Sequence, residues 1–248
     1  MQAAMAPVSV VIPCYNEAAG LPALFQRLAS LEALGWELVF VDDGSRDATF
    51  AGLMAEAARR QRMRVLRHAV NLGLGAGLRT GFAHASAPII CTIDSDCTYP
   101  PERLPELVRR IEDGADIATA SAWHPDAGAA QGKPIRILMS RAVSGCYKVL
   151  IGQDVHTFTC LFRAYRREVL DDIQFRADGF ASVAEIMLRG MLSGLRVAEV
   201  PMPLESRRFG ESKLKVGDAV MAHVGLLTLT TTLVAARRVS ELMQREAA

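Results

Sequence analysis

The sequence predicts an α/β fold: a mostly parallel sheet with helices on both faces. Three observations carry that expectation. Short runs of apolar and β-branched residues alternate with stretches of helical periodicity four times in the first ninety or so residues. Several of those runs stop at acids or at Gly and Pro, as strands do when they open into loops. At 248 residues with 50% apolar content, the chain can bury one sizeable core.

Val8-Ser9-Val10-Val11-Ile12 reads as the first strand, with Pro13-Cys14-Tyr15-Asn16-Glu17 as the loop at its end. A helix follows from about Ala19 to Leu34, because Leu21, Leu24, Phe25, Leu28 and Leu31 fall on one face. Trp36 to Val41 is a second strand, ending in Asp42-Asp43-Gly44-Ser45. Ser45 or Asp47 is the expected cap of the next helix, which turns Leu53, Met54 and Ala57 inward. Arg64 to Arg67 is a third strand, and Asn71-Leu72-Gly73-Leu74-Gly75-Ala76-Gly77 leads into a helix that ends near Ala85.

Ile89 to Ile93 follows Pro88 and reads as a buried parallel strand. Asp94 and Asp96 stand where it runs out, and Pro100-Pro101 opens a helix from Glu102 to Ile111. Asp116 to Ala120 supplies a fifth strand. The rhythm then loosens: a Gly- and Ala-containing loop over Ala122–Lys133, a helix from Pro134 to Leu150, strand over Phe158–Tyr165, helix over Ser182–Leu192 and strand over Arg196–Pro201. There is no internal repeat, and residues 1–215 read as one domain with 216–248 as an appended helical segment.

The two carboxylates at the end of the Ile89–Ile93 strand are the centre of the functional reading. Ligands of open α/β sheets bind beyond the carboxyl ends of the strands. Two acids one residue apart in a turn can both approach a hard cation, Mg²⁺ or Mn²⁺, whose other ligands come from substrate phosphates and water. With 28 Lys and Arg against 27 Asp and Glu, the net charge of +1 gives no footprint for nucleic acid. The five cysteines are scattered without a Cys-x-x-Cys pair, the usage of reduced thiols in an intracellular protein. Met1–Pro7 has neither a basic region nor a long apolar run, so no signal peptide is expected.

Ala219 to Ala236 runs for eighteen positions without a charge, between Lys213, Lys215 and Asp218 on one side and Arg237 and Arg238 on the other. That just reaches the shortest membrane-crossing length, but His223, Gly225 and four threonines dilute it. Three readings stay open: a helix lying at a membrane surface, a helix packed on protein, and a true span.

Taken together, Pro13-Cys14-Tyr15-Asn16-Glu17, Val41-Asp42-Asp43-Gly44-Ser45, Asp94-Ser95-Asp96, Gly73-Leu74-Gly75 and Arg207-Arg208-Phe209-Gly210-Glu211-Ser212-Lys213-Leu214 resemble glycosyltransferase family 2. Within it the chain is most similar to dolichol-phosphate mannosyltransferases and bacterial polyprenyl-phosphate glycosyltransferases, from Val8 to about Lys215. The resemblance implies a GT-A fold with a Rossmann-like, mostly parallel sheet. It also implies a nucleotide diphosphate sugar as donor, a polyprenyl phosphate as acceptor, and a site on the cytoplasmic face of a membrane. The donor site it implies comprises Pro13, Tyr15, Asn16, Glu17, Val41, Asp42, Asp43, Gly75, Asp94, Ser95, Arg136, Arg208 and Lys213. Asp94 and Asp96 would hold Mg²⁺ or Mn²⁺. Thr98 stands where the mannosyltransferases carry a glutamine that can join the metal, and Ala120-Ser121-Ala122 stands where the family has Gly-Ser-Arg.

Asp96 and Arg136 are then the residues expected to act on the leaving diphosphate. A phosphate acceptor is already an anion at neutral pH, with its second ionisation near about 6, and needs no base. A hydroxyl acceptor would need one, and Asp154 and Glu185 are the candidates. His156 reads as structural, since no second His or Cys lies at ligand spacing. A dinucleotide oxidoreductase is excluded because Gly73-x-Gly75-x-x would need glycine where Leu78 stands, after the first strand rather than the third. A nucleotidyltransferase would carry a Gly-rich basic loop after strand one. A silent nucleotide-sugar-binding subunit of a membrane complex is the remaining rival, and self-association is compatible with every reading.

Overall fold

The computed structural model describes residues 6–206 and 216–246. Seven strands form one sheet: β1 (Val8–Cys14), β2 (Glu37–Asp42), β3 (Met63–Arg67), β4 (Ile89–Thr92), β5 (Ile117–Ser121), β6 (Arg163–Arg166) and β7 (Val197–Pro201). Their order across the sheet is β3-β2-β1-β4-β6-β5-β7. All pairings are parallel except those of β6, which runs antiparallel to both β4 and β5.

The helices are α1 (Leu21–Ala33), α2 (Thr49–Ala57), α3 (Leu74–His84), α4 (Leu104–Glu112), α5 (Pro134–Ile151), α6 (Arg167–Asp172), α7 (Ala181–Leu192) and α8 (Val216–Glu246). Strand side chains alternate between two cores, as a period of two requires. Val8, Val10, Ile12, Leu38 and Phe40 enter the core that α1 and α4 cover with Leu24, Leu28, Leu107 and Ile111. Val11, Val39 and Ile90 enter the opposite core, covered by Leu78 and Phe82 of α3 and by α7. The amphipathic spacing of α4 shows the same logic, with Leu104, Leu107, Val108 and Ile111 buried on one stripe.

Four sequence expectations change. Met54, expected to turn inward from α2, is exposed, and only Thr49 and Leu53 of that helix are buried. Phe158–Phe162 is buried apolar chain but not strand; pairing begins only at Arg163. Its carbonyls serve single contacts instead, Leu161 O accepting from Thr92 Oγ1 at 2.5 Å and Phe162 O from Ala120 N at 3.0 Å. Neither Ser45 nor Asp47 is the cap of α2; Ala48 holds that position, while Asp47 Oδ1 accepts from Thr49 N at 2.9 Å and Ser45 Oγ accepts from Asn16 N at 2.9 Å. No described helix is long and apolar enough to cross a membrane, which removes the true-span reading of the tail over these residues. α8 packs on α7 and α5 through Leu226, Leu227 and Thr230, while Met221, Val224 and Leu229 stay exposed.

Candidate active site

The chain runs outward from β1 to β2 and β3, then returns to the other side of β1 as β4, so the strand order reverses between β1 and β4. A crevice forms beyond the carboxyl ends at such a reversal. The loops that open there are Pro13–Glu17 after β1 and Asp94–Asp96 after β4. Ile93 N donates to Val11 O at 3.3 Å, so Asp94 starts directly beside the end of β1. The Ser95 hydroxyl approaches the Cys14 thiol, whose pKa burial pushes well up.

The loops after β1 and β2 are laced together. Pro13 pairs with Val41 and Cys14 with Asp42. Asn16 sits at φ 53°, and its Oδ1 accepts from Arg46 N at 2.8 Å. Glu17 N donates to Thr49 Oγ1 at 2.8 Å, and Glu17 itself is buried. Tyr15 is half-buried in the same loop, while Val41 sends its side chain into the core and can offer only backbone. Asp42 is fully buried; Ser45 N donates to its Oδ1 at 3.3 Å and Arg67 Nε lies 3.2 Å from Oδ2. Arg67 also lies over the Phe50 ring, 4.2 Å from its centroid.

Asp43 is engaged on both oxygens by the segment that follows β3. Oδ1 accepts from Leu72 N at 2.9 Å and contacts His68 Nδ1 at 2.6 Å; Oδ2 accepts from Gly73 N and Asn71 Nδ2, each at 2.8 Å. Its carboxylate therefore shapes the loop into α3. Gly73 and Gly75 in that loop serve close packing. Gly75 N donates to Asp178 O at 2.6 Å, and a Cβ on Gly75 would meet Ala177 O at 1.9 Å.

Asp94 and Asp96 frame the turn at the centre. Asp96 Oδ1 accepts from Thr98 N at 3.0 Å, and Cys97 between them takes a positive φ of 54°. Burial, with Asp96, Glu102 and Asp94 adding to it, pushes the Cys97 thiol up to about 11. The turn offers the hard carboxylate oxygens of Asp94 and Asp96. Asp94, Thr98 and Tyr99 line a cavity of about 160 Å³ with Trp123, Ser140 and Thr159. Asp96 and Thr98 line a larger groove of about 980 Å³ with Arg136 and Lys133 from the start of α5. The walls of that groove are apolar: Ile137, Val143 and Leu227 are among them, so it runs between α5 and α8.

Asp94, Asp96 and Thr98 thus share one turn, next to the loop carrying Pro13 to Glu17, and Asp96, Thr98 and Arg136 line one groove. Asp154 and Glu185 line neither cavity. Asp154 is exposed and hydrogen-bonded by Lys148 Nζ at 2.5 Å, which holds its carboxyl below the usual range. Glu185 is buried; Oε2 accepts from Arg176 N at 3.0 Å and Ala177 N at 2.8 Å, and Oε1 from Arg189 Nε at 2.7 Å. It pins the 176–178 segment on which Gly75 packs. Arg208 and Lys213 lie outside the described residues. His156 bonds Glu199 Oε2 through Nδ1 at 2.8 Å and meets Lys148 Nζ through Nε2 at 3.0 Å.

Several residues at the site went unmarked in the sequence. Trp123, Ser140 and Thr159 face both cavities, and Glu199 accepts from the backbone N–H groups of His156 and Thr157 at 3.0 Å each. The one local signal was Thr157-Phe158-Thr159: alternate side chains of an extended segment share a direction, here two threonines to the cavity and Phe158 to the core.

The Glycosyl transferase family 2 model matches residues 9–174. The chain is 32% identical over 233 residues to the undecaprenyl-phosphate 4-deoxy-4-formamido-L-arabinose transferase of Salmonella dublin, covering 91% of this chain and 68% of that one. It is 34% identical to the dolichol-phosphate mannosyltransferase of Pyrococcus furiosus, covering 84% of this chain and 59% of that one. Among solved structures it shares its fold with glucosyl-3-phosphoglycerate synthase from Mycobacterium tuberculosis, crystallised with Mn²⁺, UDP-glucose and phosphoglyceric acid. That match has a TM-score of 0.71 at 21% identity, over 93% of this chain and 80% of that one. With its sheet, its crevice and these relatives in agreement, the chain belongs to glycosyltransferase family 2, a glycosyltransferase related to the polyprenyl-phosphate sugar transferases.

Proposed function

We propose that this protein moves a hexose from a nucleotide diphosphate sugar to a polyprenyl phosphate with inversion at the anomeric carbon. One observation carries the reading: the loop bearing Asp94 and Asp96 adjoins an apolar groove between α5 and α8 whose lining includes Lys133 and Arg136. The groove offers apolar wall to a lipid chain and cationic groups to its phosphate.

Asp94 and Asp96 fit a divalent cation as a pair of hard oxygen donors that leaves the remaining positions to diphosphate and water. Bound there, Mg²⁺ or Mn²⁺ would offset the charge gathering on the leaving diphosphate. Arg136 adds a fixed positive charge toward the same region, and Arg208 and Lys213 are proposed to add theirs. Pro13, Tyr15, Asn16 and Glu17 hold the base and ribose, within a frame that the buried Asp42, Asp43 and Gly75 keep in shape. An oxygen of the acceptor phosphate attacks the anomeric carbon, and the bond to the diphosphate breaks with its electron pair leaving on the nucleotide. No base is required, which agrees with Asp154 and Glu185 lying outside both cavities and carrying structural contacts instead.

The exposed apolar side chains of α5 and α8, Ile135, Leu138, Met221, Val224 and Leu229, would rest on the cytoplasmic face of a membrane, where such an acceptor resides. A thermal-shift panel tests the donor half: GDP-mannose, UDP-glucose and UDP-N-acetylglucosamine, each with and without Mn²⁺. A metal-dependent rise in melting temperature with at least one donor is expected. No rise with any of them would contradict the reading. For the membrane half, Met221→Glu with Leu229→Glu should release the protein from anionic vesicles, and unchanged sedimentation would refute that part.

A further inference from the structure

We infer that Arg163 is a buried, permanent positive charge that sets the balance of the Asp94–Asp96 turn, drawing the anionic diphosphate of the donor and loosening the bare turn's hold on a divalent cation. The inference rests on the donor reading proposed above and adds to it a residue that touches no ligand.

Arg163 opens β6 and is 0% exposed, one of the largest side chains fully enclosed in the protein. Charged side chains reach that depth almost only when an opposite charge meets them. Here the guanidinium donates to neutral groups instead: Nη1 to Val183 O at 2.5 Å, Nη2 to Phe158 O at 2.7 Å and Nε to Thr119 Oγ1 at 3.3 Å. Among the described residues no carboxylate forms an ion pair with it. A guanidinium keeps its proton even when buried, so its field acts on whatever lies nearby.

The register of the sheet aims that field at the turn. Thr92 faces Arg163 across β4 and β6, and Arg163 faces Thr119 across β6 and β5. Directly opposed residues of an antiparallel pair put their side chains on one face. That face is the one under α7, since Val11, level with Thr92, enters its core. Ile93 enters the opposite core, so Asp94 leaves the strand on the face of Thr92 and Arg163. The Cα atoms of Arg163 and Asp94 are then about 9 Å apart, from roughly 7 Å along the strand and 5 Å across it. Cys160, which lines the cavity beside Asp94, feels both charges: burial pushes its thiol up to about 12, with Arg163 pulling against that and Asp94 adding to it.

A charge at this depth is little screened by salt. Over about 9 Å, at an effective dielectric of about 20, one elementary charge changes the binding of a unit charge by roughly tenfold. The sign separates this role from a structural one. Loss of the charge weakens an anion and tightens a cation, whereas loss of packing weakens both.

The test titrates the full chain calorimetrically with Mn²⁺ alone, and with UDP and GDP in the absence of metal. Arg163→Gln removes the charge. Thr119→Asp sets a carboxylate against Nε and cancels the charge with the guanidinium still in place, and Thr119→Asn has the same shape without the charge. Arg163→Gln and Thr119→Asp should each tighten Mn²⁺ at least about threefold and weaken the diphosphate that binds at least about fivefold, while Thr119→Asn stays within about twofold of the parent for both. Unchanged or weaker Mn²⁺ binding in both charge-cancelling variants, or in the one of them that folds, would overturn the inference and leave the donor reading standing. Failure of the parent to bind UDP and GDP alike, with Mn²⁺ present or absent, would overturn both.

Discussion

Asp43 offers a sharp separation of scaffold from ligand contact, because its carboxylate sits 4% exposed inside the site and yet is spent on protein. Replacing it by alanine strands the N–H groups of Leu72 and Gly73, which donate to it at 2.9 and 2.8 Å, and the Asn71 amide at 2.8 Å. An unsatisfied buried donor costs about 1–3 kcal/mol, and these part-buried donors, within reach of water, take no more than the low end of that range. Taking the low end for three donors, with the lost His68 contact added, Asp43→Ala should cost roughly 4 kcal/mol. Against a typical domain stability of about 5–15 kcal/mol that is a large share. With a urea slope of about 2–3 kcal/mol/M, the midpoint should fall by roughly 1–2 M. Asp43→Asn keeps one acceptor and should lose about half as much. If Asp43→Ala instead unfolds within about 0.5 M of the parent while losing nucleotide affinity a hundredfold, Asp43 contacts the ligand and the scaffold reasoning is wrong.

Gly75→Ala would press a methyl against Ala177 O and should lower stability by about 1–3 kcal/mol, read as a drop in melting temperature; a neutral result would refute the close packing. Arg136→Met should lower turnover about 10²-fold, read against the fraction of folded protein. Asp154→Asn should alter turnover less than threefold, since that acid is exposed and outside both cavities; a hundredfold loss would restore it as a catalytic base. His223, bonded through Nδ1 to Tyr147 Oη at 2.9 Å, has its pKa lowered from 6.5 by burial. A depressed histidine binds fewer protons folded than unfolded, so docking of α8 is at full strength above about 6.5 and weakens as pH falls below it. Hydrogen exchange over 219–231 should therefore speed up more between pH 7.5 and 5.5 than in His223→Gln; equal pH responses would contradict this.

Much of this architecture is legible locally. Alternation of Val10, Val11 and Ile12 between two cores, and the leucine stripe of α1, are short-range patterns that the fold keeps. The Asp94–Asp96 turn announced itself through its place after an apolar run. What escaped depends on distant partners. An acid at a strand end looks the same whether it faces a ligand or a loop, and Asp43 is claimed by residues some thirty positions on. Phe158–Phe162 reads as strand because it is buried, yet burial does not say whether a neighbour is in register, nor that β6 runs backwards. Ser140 and Thr159 meet across α5 and an irregular segment, so neither hydroxyl stood out alone. The uncharged tail was undecidable from composition, since the same threonines and leucines suit lipid or protein; Leu226 and Thr230 show one side of α8 taken by protein.

The central claim is that the Asp94–Asp96 turn serves transfer onto a lipid phosphate. The direct measurement is metal-dependent transfer of a radiolabelled hexose to a polyprenyl phosphate, run beside the matching polyprenol. The account predicts product only with the phosphate and only with Mg²⁺ or Mn²⁺, with the opposite anomeric configuration to the donor, and a loss of about 10³-fold in Asp94→Asn and Asp96→Asn. Transfer to the alcohol at equal rate, or full activity in either variant, would contradict it.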